Sequence, residues 1–152
     1  LTNCLKVGGI MKIGLYSELA RNQVVQLREE IRQSGIGSSD DAMRSFRKRI
    51  VSSEEDQHTR IAFSSDFYSM STLRDLLFHV QEHRFTIPKI SEYLDQLGLT
   101  FCGFESDGVV KKFKSKYNCE NAIYDLGKWH DFEKENPSEF VGMYQFWCQK
   151  TV

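Results

Sequence analysis

The opening of this chain constrains its fold more than any other segment. Leu1-Thr-Asn-Cys-Leu-Lys-Val-Gly-Gly9 passes directly into the apolar run Ile10-Met-Lys-Ile-Gly-Leu-Tyr16. The first nine residues read as the end of an amphipathic helix closed by a Gly-Gly turn. The next run reads as a strand buried on both faces, and such strands belong to parallel sheets covered by helices. Two more strands are legible downstream, too few to surround the first. The expectation is therefore the C-terminal half of a larger α/β sheet.

The rest of the chain alternates helical periodicity with those two strands. Ser17 is placed to cap the next helix, with Glu18 in its first turn. Ala20, Val24, Leu27 and Ile31 form its apolar face, and Gly35 and Gly37 end it. Asp40-Asp41 opens a helix through Arg49, and the charged stretch from Val51 to Thr59 reads as a loop. Ser71 caps a helix with the stripe Leu73, Leu76, Leu77 and Val80. Thr86 caps another, with Pro88 in its first turn, and Ile87, Ile90, Leu94 and Leu97 face inward until Gly98 stops it. Leu99–Phe104 is the second strand, and residues 105–120 read as irregular. Asn121 caps a helix that turns Ile123, Leu126 and Trp129 inward and ends at Asn136-Pro137. The aromatic run Met143–Gln149 is the third strand, read as a central one with helices on both faces.

Composition removes several function classes. At 152 residues and 40% hydrophobic content the chain can bury one core. Its formal net charge of −1 gives no basic excess for nucleic acid or a membrane surface. The one basic run, Lys111-Lys112-Phe113-Lys114-Ser115-Lys116, reads as a solvated loop face. Cys4, Cys102, Cys119 and Cys148 make no CxxC pair, and most of them lie where a free thiol packs as a small hydrophobe. That fits a reducing compartment, and the cytoplasm is the expected location. No apolar run approaches the ~18 residues of a membrane span.

Few motifs carry chemistry. His79-Val-Gln-Glu-His83 matches the H-x-x-E-H pattern of inverted zinc peptidases, and on a helix both histidines would share a face. A third ligand is missing, so zinc is not expected there. The plainer reading is packing or hydrogen bonding beside the leucine stripe. Tyr16 and Ser17 stand at the carboxyl end of the first strand, where open α/β sheets bind ligands.

Leu5-Lys-Val-Gly-Gly9 with its strand resembles the segment before the fifth strand of class I S-adenosylmethionine-dependent methyltransferases, where a Leu-Lys-Pro-Gly-Gly turn is typical; here Val7 stands for the proline. Ile13–Ser17, Arg74–His83 and Gly142–Trp147 are similar to the methyltransferase halves of bacterial proteins that often carry N-terminal tetratricopeptide repeats. The resemblance implies a Rossmann-like α/β sheet with strands near 10–16, 99–104 and 143–149. The last of these would be antiparallel and inserted between the other two. Residues 1–37 would then supply a strand and helix of the sheet, 38–97 a helical insertion, and 98–152 the last two strands with an intervening helix. The sequence departs from the family by placing 105–142 between those last strands.

The resemblance also implies methyl transfer from S-adenosylmethionine to a small-molecule or protein acceptor, and the charge balance already argues against nucleic acid or a membrane as a partner. The glycine-rich turn and the acidic residue that hold the cofactor would precede Leu1, so no cofactor-binding residue is expected here and the segment alone would be inactive. Insertions after the fifth strand often cover the acceptor pocket, which makes Arg74, His79, Glu82 and His83 candidates beside Tyr16 and Ser17. The competing reading is a non-enzymatic helical module for protein interaction.

Overall fold

A computed structural model describes residues 1–78 and 81–151. The protein is a mixed α/β fold with a four-stranded sheet and, among the described residues, seven α-helices. The chain divides into two compact units, Leu1–Ala20 with His83–Val152, and Arg21–Glu82. The helix after the first strand thus belongs to the inserted unit, and the helix that Thr86 caps belongs to the sheet.

In the sheet unit, β1 (Ile10–Ser17), β2 (Arg84–Phe85), β3 (Leu99–Phe104) and β4 (Tyr144–Lys150) lie in the order β2-β1-β4-β3. β4 is antiparallel to both β1 and β3, and β2 pairs in parallel with β1 through Tyr16–Arg84 and Ser17–Phe85. β2 was not legible in the sequence: a strand of two residues carries no periodicity. From Ile10 to Leu15 no second strand pairs with that edge of β1 among the described residues.

The expectation of strands buried on both faces is corrected. Along β1, Ile10, Lys12 and Gly14 are exposed, while Met11, Ile13 and Leu15 pack against the core. Along β4, Tyr144, Phe146 and Cys148 are buried and Gln145 and Trp147 are exposed. One face of the sheet is covered, and apolar runs in β1 and β4 concealed this alternation. Cys148 alone of the four free cysteines is buried; Cys4, Cys102 and Cys119 are exposed. Cys102 stands at a bulge in β3, where Phe101 and Gly103 pair with the adjacent Cys148 and Trp147. Gly103 takes φ +124° there, a conformation a side chain would strain.

The covered face packs against α5 (Ile87–Gln96), α6 (Asp107–Lys116) and α7 (Leu126–Glu135). α5 follows the sequence reading: Thr86 Oγ1 accepts from Lys89 N–H, and Ile87, Ile90 and Leu94 are buried; Leu97 is instead 48% exposed. α6 corrects two readings, since 105–120 is not irregular and 111–116 is not a loop. Its Lys residues face water while Phe113 is fully buried, stacked on Trp129 with centroids 3.7 Å apart. Asn121 does not cap α7. It lies in a 3-10 turn, Glu120–Tyr124, and Asp125 accepts from Lys128 N–H at 3.1 Å. Asp125→Ala is therefore expected to cost about 1 kcal/mol in urea denaturation, and Asn121→Ala a few tenths at most. The reverse order would restore the cap to Asn121.

The inserted unit has its own core. α1 (Asn22–Gln33), α2 (Asp40–Val51), α3 (Asp56–Ala62) and α4 (Met70–Leu73), which continues as a π-helical turn Arg74–Phe78, bury Val24, Leu27, Ile31, Phe46, Ile50, Ile61, Phe67, Leu73, Leu76 and Leu77 together. α3 replaces the loop expected between Val51 and Thr59: its apolar contribution is brief, but His58 and Ile61 are buried. The helix expected from Ser71 begins at Met70 behind Ser69. Val80, placed in its stripe, lies outside the described residues. No helix among the described residues is long and apolar enough to cross a membrane.

Candidate functional site

At the carboxyl end of β1 the sheet unit holds its most unusual chemistry. Ser17, Glu133 and Tyr144 are all fully buried. Ser17 Oγ donates to Glu133 Oε1 at 2.6 Å, and Tyr144 OH donates to the same oxygen at 2.6 Å. Ser17 Oγ also accepts from Ala20 N–H at 3.0 Å. The expectation that Ser17 caps the following helix is corrected: α1 starts at Asn22, and β1 runs through Ser17. Its hydroxyl is buried and hydrogen-bonded within the protein. Tyr16, beside it, is half-buried and paired with Arg84.

Glu133 Oε2 and His130 Nδ1, both on α7, are buried atoms without a hydrogen-bond partner among the described residues. Burial pushes the Glu133 carboxyl above the usual carboxylate range, against the opposing pull of the Ser17 and Tyr144 hydroxyls and the charge of His130. Burial and the bond to Glu133 likewise push the Tyr144 phenol up. Neither Glu133 nor Tyr144 was a candidate from the sequence. The signal was present: one helical step on from Leu126 and Trp129, the inward stripe of α7 arrives at Glu133, an acid in a core position.

The inserted unit places Glu82 between two arginines. Arg21 meets it with Nε–Oε1 at 3.3 Å and Nη2–Oε2 at 2.7 Å, and Arg28 Nη2 reaches Oε2 at 3.0 Å. Arg28 also donates to Leu76 O from Nε at 3.0 Å and from Nη2 at 2.8 Å, holding the π-helical turn. The Glu82 side chain is only 6% exposed. Burial would raise its carboxyl, but the bonds and charges of Arg21 and Arg28 hold it below the usual range. A second network binds Glu30 to His58 Nε2 at 2.8 Å and to Arg49.

Of the sequence candidates, Tyr16, Ser17 and His83 belong to the sheet unit and Arg74 and Glu82 to the inserted unit. Arg74 is exposed and paired with Asp40 at 2.6 Å. His83 is exposed and lies outside any helix, so the shared helical face invoked for the H-x-x-E-H pattern is not formed. His79 lies outside the described residues. Among those residues no group of three His, Cys, Asp or Glu side chains is gathered to hold a metal ion. The turn Ser17-Glu-Leu-Ala20 after β1 contains no glycine, and its one hydroxyl is buried and bonded. No protein-family model matches the sequence, and comparison with curated proteins finds no match.

Proposed function

We propose that this chain is part of the Rossmann-like sheet of a class I S-adenosylmethionine-dependent methyltransferase, contributing its last strands and a helical insertion. The observation that supports this reading most is the strand order. β4, the last strand, is antiparallel and inserted between β1 and β3, as the resemblance in Leu5–Tyr16 and Gly142–Trp147 implies. A helical unit, Arg21–Glu82, follows β1, where the resemblance implies an insertion at 38–97. Bound S-adenosylmethionine supplies an electrophilic methyl group; on this reading it is held by residues outside these 152. The chain's own role is to fix the end of β1, where Tyr16 stands beside the acceptor. Such catalysis depends on alignment, in which small displacements cost large factors in rate.

The test is calorimetric titration of S-adenosylmethionine into the full reading frame that contains this segment and into the 152 residues alone. Micromolar affinity is expected in the first and none in the second. In the full protein Tyr16→Ala should lower turnover at least about tenfold, and far more than Trp129→Phe, with folding matched by thermal transitions. Absence of binding by the full protein overturns the reading. The separate core of Arg21–Glu82 favours the competing interaction module in that event.

A further inference from the structure

We propose that Glu133 is a positioning residue for the carboxyl end of β1, and that the Ser17–Glu133–Tyr144 cluster is a pH-sensitive latch that holds while Glu133 keeps its proton and loosens when the proton is lost. The proposal rests on the geometry of the sheet unit and stands whether or not the chain belongs to a methyltransferase.

A single carboxyl oxygen joins three elements. Glu133 Oε1 on α7 accepts from Ser17 at the end of β1 and from Tyr144 at the start of β4. Ser17 in turn fixes the turn after the strand through Ala20 N–H. A neutral carboxylic acid buried in this way leaves its own O–H at Oε2 unpaired among the described residues, a smaller cost than a bare charge. A carboxylate has to lose its hydration, and its second oxygen has no partner among the described residues to replace the water.

The surroundings offer little to neutralise that anion. From α7 itself His130 faces it, and in its charged form favours ionisation. From β4 comes the Tyr144 phenol, on which Glu18 after β1 adds a second negative influence. α5 turns Ile87, Ile90 and Leu94 inward and leaves Lys89 and Glu92 exposed. Lys111 and Lys114 of α6 are exposed, and the other lysines of α6 and α7 hold other acids: Lys112 with Glu139, Lys116 with Glu135, Lys128 with Asp125 and Lys134 with Asp131.

The sign is set by the upward displacement of Glu133. The latch is fully stabilising below the unfolded value of about 4.3 and is lost as pH rises through the folded value. Each unit of that displacement corresponds to about a tenfold change in the local opening equilibrium. Loss of the proton therefore loosens the end of β1, where Tyr16 stands, before it unfolds the sheet.

The experiment uses the 152-residue chain. The side-chain carboxyl carbon of Glu133 is followed by NMR against pH, and exchange of the Ala20 amide is measured over the same range and corrected for its intrinsic rate. Glu133 should titrate above the ordinary value of about 4.3. Ala20 protection should fall across that titration in the wild type and stay level in Glu133→Gln. Should Glu133→Gln not fold, Tyr144→Phe serves. It removes one bond that favours the ionised acid, so the Glu133 titration should move further up. An ordinary titration of Glu133, equal pH profiles of Ala20 protection in wild type and Glu133→Gln, or an unmoved titration in Tyr144→Phe overturns the proposal.

Discussion

Trp129→Ala is expected to remove about 4 kcal/mol from the stability of the sheet unit, a large share of the ~5–15 kcal/mol typical of a domain. Trp129 is fully buried, and its ring stacks on Phe113 and meets Phe104 edge-on at 4.9 Å and Phe132 at 5.7 Å. Its indole N–H donates to Ile123 O at 2.9 Å. Alanine leaves a cavity among rings that are themselves packed on one another and cannot collapse into it. It also strands the Ile123 carbonyl. Trp129→Phe keeps an aromatic ring against Phe113 and loses mainly the hydrogen bond and part of the volume, so about 1–2 kcal/mol is expected. Urea denaturation followed by near-ultraviolet circular dichroism separates the two. Equal costs, or less than about 1 kcal/mol for alanine, would mean that this ring cluster is not the centre of the core.

Glu82→Ala should be costly, about 2–3 kcal/mol, because it removes a nearly buried carboxylate that accepts from both Arg21 and Arg28. Arg21 and Glu82 are the first and last residues of the inserted unit, so their bond joins its two ends. Arg28→Ala should cost less, since Arg21 keeps both of its bonds to the carboxylate. The pH dependence has the opposite sign to that of Glu133. A carboxyl held low by two arginines is stabilising above its unfolded value of about 4.3, and that contribution is lost as pH falls through the folded value. Limited trypsin digestion gives a local readout. Cleavage at Arg44, Arg47, Lys48, Arg49 and Arg60 in the variant should accelerate far more than cleavage in α6 and α7. A variant within about 0.5 kcal/mol of wild type, cut at the wild-type rate, would make the cluster a surface ornament.

The amino-acid sequence by itself determined the long elements. β1, β3 and β4, the face of α1, the Thr86 cap and the end of α7 at Asn136-Pro137 each leave a mark in residues only a few positions apart, and apolar runs, periodicity or capping chemistry record such marks directly. It also carried the strand order, though through a resemblance and not through spacing. Tertiary structure alone decided the rest. α3 and α6 were hidden because one buried ring or histidine per turn suffices once a neighbouring core exists, as Phe113 shows against Trp129. The exposed face of the sheet was hidden because apolar residues on a strand do not say which face is covered. The clusters joining Ser17 to Glu133, 116 positions away, and Arg21 to Glu82, 61 positions away, depend on contacts that no local pattern encodes. Burial then gives these charges their properties: the same carboxyl group is pushed up where only hydroxyls and a histidine meet it and held down where two arginines do.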